Sequence, residues 1–156
     1  MNKRSLGSDR KWSRASLRIF SEILTSSEIQ AILGVEATRS YSKGDPIYGR
    51  DKSGKKVKAG IRRNSGWLLS SPSDGDPNLA EHLRRLLDVI DPKTDELKQL
   101  SKKCKIDIFC GYGAEGQGGF TLDVETINRL AKLNLNLGLD LYPLSIDECP
   151  EASETF

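Results

Sequence analysis

Histidine is all but missing from this chain. His82 is the only one among 156 residues, and the three cysteines, Cys104, Cys110 and Cys149, are scattered. No pair of them falls at the short spacing of a zinc site, and four soft ligands cannot be assembled in the usual way. Long apolar runs are lacking too. No segment approaches the roughly 18 uncharged apolar residues of a membrane helix, and the basic stretch from Met1 to Arg14 is followed by no apolar core of a leader. The expectation is a cytoplasmic protein in a reducing compartment, with no membrane contact and no cofactor.

A clear excess of one charge is also absent. The net charge of +2 nevertheless hides a division: residues 1 to 63 carry 15 Lys or Arg against 6 Asp or Glu, so the remainder carries 9 against 16. The +9 half and the −7 half suit different partners. At 37% hydrophobic and 29% charged, the composition fits one globular domain with its own core. We expect a mobile basic N-terminus over 1–12, a single α+β domain over 13–144 with a basic insert at about 42–63, and an acidic tail over 145–156.

The elements follow from periodicity and capping. In Arg14 to Phe20 the apolar residues Ala15, Leu17 and Ile19 alternate with Arg14, Ser16 and Arg18, the signature of a strand with one buried side. Thr25-Ser-Ser-Glu28 has the spacing of a capping box, and Gly34 supplies a helix stop. Val35 to Tyr41 reads as a returning strand, 42 to 56 as a loop or hairpin tip, and Val57 to Ile61 and Gly66 to Ser71 as extended. Asn78 caps a helix whose apolar stripe is Leu79, Leu83, Leu86, Leu87 and Ile90. His82 beside that stripe reads as a surface residue. A short helix from Thr94 to Lys103 leads into a strand from Cys104 to Cys110, Asp123 caps another helix, and leucines alternate from Leu133 to Leu141 as the clearest strand signal.

Gly111, Gly113 and Gly116 form a literal G-x-G-x-x-G after a strand. A dinucleotide site needs the helix to begin within that motif, so that its free amides meet the pyrophosphate. Here the next helix waits for Asp123, and the motif fails on geometry. Residues 14 to 41 and 104 to 142 each run strand, helix, strand. Two β-α-β-type halves then give one mainly antiparallel sheet with helices packed on one face, a ferredoxin-like plan.

Five blocks carry a resemblance. Ala15-Ser-Leu-Arg-Ile-Phe-Ser21 with Leu24-Thr-Ser-Ser-Glu-Ile29 comes first, followed by Ala37-Thr-Arg-Ser-Tyr-Ser-Lys-Gly-Asp45 and Gly66-Trp-Leu-Leu-Ser-Ser71. Ile106-Asp-Ile-Phe-Cys-Gly-Tyr112 with Gln117-Gly-Gly-Phe-Thr-Leu122, and Leu137-Gly-Leu-Asp-Leu-Tyr142, complete the set. Together, from Ser13 to Tyr142, they resemble the bacterial domain-of-unknown-function family numbered 4279. That resemblance implies a small bacterial or phage cytoplasmic protein and brings no activity with it.

No nucleophile stands beside a base at a catalytic spacing, so the chain reads as a binding protein and not an enzyme. Asp107, Asp140, Glu115 and His82 are the only candidates for chemistry. The stronger feature is basic. Arg39, Lys43, Arg50, Lys52, Lys55, Lys56, Lys58, Arg62 and Arg63 face only Asp45 and Asp51 in that segment, with Tyr41, Tyr48 and Trp67 near enough in sequence to stack on a base. The expected contact residues are Arg39, Tyr41, Lys43, Lys55, Lys56, Lys58, Arg62, Arg63, Trp67, Gly118 and Gly119. The first expectation for the partner is an acidic protein, in an immunity- or antitoxin-like role. The alternative is an anionic nucleotide or single-stranded nucleic acid held between the basic hairpin, Trp67 and the glycine loop.

Overall fold

A computed structural model describes residues 11–72, 77–115 and 117–143. Strand β1 (Lys11–Ser21) leads into helix α1 (Ser26–Leu33) and strand β2 (Arg39–Tyr41). A hairpin of β3 (Pro46–Arg50) and β4 (Lys56–Ile61) intervenes before β5 (Ser65–Ser70). Helices α2 (Leu79–Ile90) and α3 (Thr94–Ser101), separated by a short 3-10 turn, precede β6 (Lys105–Ala114), α4 (Val124–Leu133) and β7 (Asn136–Pro143). The main sheet has the order β2-β5-β1-β6-β7, and β3-β4 form a separate two-stranded sheet.

Every contact in the sheet is antiparallel except β6 with β7. The four strands β6-β1-β5-β2, with α1 and α2 as their crossovers, therefore have the ferredoxin-like order and directions. The chain adds α4 and β7 to the β6 side and inserts the hairpin between β2 and β5. The expected α+β sheet is present, but its second ferredoxin half is β5-α2-β6. The 104 to 142 unit is instead a parallel extension of it.

Local chemistry explains the boundaries. The Thr25 hydroxyl accepts from the Glu28 amide at 3.2 Å while the Glu28 carboxylate accepts from the Thr25 amide at 2.7 Å, and Gly34 ends α1 at φ 68°. The Thr25 amide, followed by its hydroxyl, donates to the Glu28 carboxylate and holds it below its usual range. Asn78 Oδ1 accepts from Ala80 and Glu81 at the start of α2, and Asp123 Oδ1 accepts from Thr126 at the start of α4. Asn134 at φ 53° ends α4. Leu133, read as the first residue of a leucine-alternating strand, belongs to that helix, and β7 starts only at Asn136.

One side of the sheet is dry. Ala15, Leu17 and Ile19 of β1, Trp67 of β5, and Ile108 and Cys110 of β6 are completely buried with Leu83 and Leu87 of α2 and Ile29 of α1. His82 is 1% exposed, which corrects its reading as a surface residue. It is three positions from Leu79 and four from Leu86 and so lies within the buried stripe. Burial pushes the Cys110 thiol up to about 12, the state of an inert core side chain. Lys11 and Trp12, expected in the N-terminal segment 1–12, belong to β1; the rest of that segment, the acidic tail and residues 73–76 lie outside the described residues.

Candidate functional site on the open sheet face

Alternation along β1 sends its even-numbered residues away from the helices. Register carries the same side across the sheet: Trp12 is opposite Gly113, Arg14 opposite Gly111, Ser16 opposite Phe109 and Ser70, and Arg18 opposite Asp107 and Leu68. On β2 this side holds Arg39 and Tyr41, beside Leu68 and Gly66, and on β7 it holds Asn136, Gly138, Asp140 and Tyr142. The helices build their core on the other side, and Leu68 is not part of that cluster.

Aromatic rings and guanidinium groups interleave on this open face. Arg18 donates from Nε and Nη2 to the two carboxylate oxygens of Asp107 at 2.7 and 2.8 Å. Its guanidinium carbon also lies 4.2 Å from the Phe109 ring centroid and 5.7 Å from that of Phe20, a planar cation on a π-face. The Trp12 and Tyr142 ring centroids are 5.2 Å apart. A Cβ on Gly113 would collide with the Trp12 indole, and one on Gly66 with the Tyr41 ring; these glycines let rings lie flat on the backbone. The Arg62 guanidinium carbon lies 4.0 Å from the Tyr41 centroid. Arg14, half-buried among Trp12, Ser16 and Gly111, has no ion pair among the described residues.

The hairpin continues the pattern beyond the sheet. Strand alternation puts Tyr48 and Arg50 of β3 on the same side as Lys58 and Lys56, their partners on β4. Lys56 Nζ lies 4.4 Å from the Tyr48 centroid. The two acids of the segment are used internally. Asp51 Oδ1 accepts from the Ser53 amide and hydroxyl and from the Lys55 amide at 2.9, 2.6 and 3.0 Å, which holds its carboxyl below the usual range, the Ser53 hydroxyl contributing most. Asp45 Oδ2 accepts from the Ser42 amide at 2.7 Å. Lys55, Lys56, Lys58, Arg62 and Arg63 form no ion pair among the described residues. These five cations of the arm are therefore paired with no acid among the described residues.

Of the residues expected to make contact, Arg39, Tyr41, Lys43, Lys55, Lys56, Lys58, Arg62 and Arg63 all lie on β2, the hairpin or its base. Trp67 does not join them. It is 0% exposed and points to the helix-covered side, where no base can reach it. Gly118 and Gly119 are also elsewhere. They follow β6 at the end where β1 begins, whereas the hairpin leaves beside the end of β1. The 11 residues of β1 separate the two places by roughly 30 Å at about 3.3 Å per residue. Gly111 and Gly113, read as loop, are strand residues of β6.

The acids and His82 do not converge. Asp107 and Asp140 share the open face but stand four register positions apart, about 13 Å, Glu115 follows the far end of β6 and His82 is on the other side of the sheet. Sequence reasoning missed Trp12, Arg14, Arg18, Phe20, Phe109 and Tyr142 as a surface. The signal was available in the complement of the Ala15-Leu17-Ile19 alternation. It also missed Lys102, Lys103 and Lys105, which line an open cleft of about 510 Å³ with Phe20, Ile23 and Asn64 near the hairpin base.

No helix among the described residues is long and apolar enough to cross a membrane. No curated protein and no solved structure matches this chain. A family model does match, over residues 10–144, and the chain belongs to that family, described as a domain of unknown function, DUF4279.

Proposed function

We propose that this is a non-catalytic binding protein that holds single-stranded nucleic acid on its open sheet face, with the basic hairpin as an electrostatic arm. One observation carries the reading. Of the chain's ten aromatic residues (two Trp, four Tyr, four Phe), five, namely Trp12, Phe20, Tyr41, Phe109 and Tyr142, lie on the side of the sheet that no helix core occupies. Rings on a sheet stack with bases whatever the sequence, at about 1–3 kcal/mol per base, and the cations beside them meet phosphates. Arg14, Lys55, Lys56 and Lys58 supply the charge; the Trp12–Tyr142 pair supplies the stacking surface.

The test is a titration of labelled single-stranded and duplex oligonucleotides and of mononucleotides at low and high salt. Single strands should bind, and log K should fall with log salt by about 0.7 for each phosphate contacted. Absence of salt-dependent binding to every probe removes the reading. A second reading is an acidic protein partner in an immunity- or antitoxin-like role in a bacterial or phage-infected cytoplasm. It is favoured by Tyr48, Val57 and Ile61, which are exposed among the hairpin cations and offer the apolar contacts that protein partners use. Recovery of no stoichiometric protein partner from the native host counts against it.

A further inference from the structure

Strand β7 lies at the edge of the five-stranded sheet, and among the described residues no strand pairs with its outer side. Exposed edges are usually blunted by lysines, bulges or short length. Here the strand is 8 residues long with Asp140 as its only charge. Leu137, Leu139 and Leu141 project to the helix side, in register with Ile108, Cys110 and Tyr112, and are 36%, 37% and 66% exposed.

Helix α4 extends this apolar strip. Arg129 reaches Asp88 Oδ1 at 2.8 Å and Asp91 Oδ2 at 2.7 Å, so its flank of α4 is the one turned toward α2. Val124, Ile127 and Ala131, spaced i, i+3 and i+7, fall on the opposite flank. Val124 is 73% and Ile127 50% exposed. Because α2 packs over the central strand β1, the flank facing away from it overhangs the β7 edge. Strand leucines and helix side chains thus make one uncovered strip.

We propose that a second copy of this chain covers it, the two β7 strands pairing antiparallel about a two-fold axis at Leu139 and joining the sheets into one. That register sets Leu137 opposite Leu141, Asn136 opposite Tyr142 and Asp140 opposite Gly138, so apolar meets apolar and no carboxylate faces another. Centring on Asp140 would oppose two like charges, and centring on Gly138 would set Leu141 opposite Leu135, which precedes the strand. The same axis lays the two α4 helices side by side and antiparallel. Val124, Ile127 and Ala131 of the two subunits then face each other. An interface whose apolar positions meet their own copies is the isologous kind that closes as a dimer. The two open faces would form one continuous surface, but the pairing rests on β7 and α4 alone, whatever the open face binds.

Sedimentation equilibrium and light scattering of the full chain over a range of concentrations test this. The expected mass is twice the 17.3 kDa of one chain. Leu139→Lys and Ile127→Glu should each weaken association at least ten-fold while leaving far-UV circular dichroism unchanged, because both side chains are already partly in water. Val124→Glu, at a position 73% exposed on the same flank, should weaken it several-fold. A monomer at every concentration overturns the proposal and leaves the strip to the chain's own residues 144–156 or to another protein. A dimer indifferent to all these substitutions overturns it as well.

Discussion

The two sides of one sheet differ in what their side chains are asked to do. Toward the helices, Leu17, Ile19, Trp67 and Ile108 are 0% exposed and fill a continuous apolar core. Away from them, the same strands present Arg18 held between Asp107 and Phe109, and Trp12 laid on Gly113 beside Tyr142. The first arrangement is stable because it excludes water. In the second, rings and cations satisfy one another at the edge of water. If the open face binds as proposed, substitutions on the two sides should separate stability from binding.

The largest effect belongs to the dry side. Leu87→Ala on α2, where Leu87 is completely buried, should lower unfolding free energy by about 2–5 kcal/mol in urea titration and leave the affinity of the folded protein for nucleic acid unchanged. Next comes the ion pair of the open face. Asp107→Ala leaves Arg18 without its bidentate partner, and with side-chain exposures of 25% and 16% we expect a loss of about 1–2 kcal/mol. A cost near zero would mean that Phe109 alone holds Arg18.

How much of this contrast can be read without coordinates depends on the residue. Thr25, Asn78 and Asp123 announce their helices because a cap is a local event, settled within three residues. The alternation of Ala15, Leu17 and Ile19 fixes the buried side of β1 in the same way. Trp67 is different: Gly66-Trp-Leu-Leu-Ser-Ser71 has apolar residues at 67, 68 and 69, so parity does not reveal which side is core. Gly111 and Gly113 look like loop residues because glycine pairs poorly in strands. They are strand because Trp12, about a hundred positions earlier, fills the space above Gly113, and such long-range complementation leaves no local trace. The nine cations of the arm were plain from composition; that Asp45 and Asp51 are occupied by turn amides, leaving the lysines uncompensated by them, was not.

A smaller effect sharpens the comparison through pH. Burial raises the Cys110 thiol from 9.0 in the unfolded chain to about 12 in the core. Its contribution to stability is complete below the unfolded value and is lost as pH rises from there toward 12, because only the unfolded chain releases the proton. Unfolding midpoints should therefore fall between neutral pH and pH 10, and Cys110→Ala should flatten that fall. An unchanged slope would place its origin in other groups. The smallest effect on folding, and the sharpest separation, is expected in the arm. Lys55→Glu, Lys56→Glu and Lys58→Glu together should shift stability by less than about 0.5 kcal/mol while removing most of the salt dependence of nucleic-acid binding. Retention of that dependence would move the phosphate contacts elsewhere.

The chain's two tryptophans report on the two sides separately, since Trp12 lies on the open face and Trp67 in the core. In Trp67→Phe, which keeps only Trp12, added single-stranded oligonucleotide should quench the indole fluorescence along the same isotherm as binding. In Trp12→Phe, which keeps only Trp67, the signal should stay constant through saturation. Quenching of Trp67 with Trp12 silent, or saturation with neither changed, would contradict the assignment of the ligand to the open face.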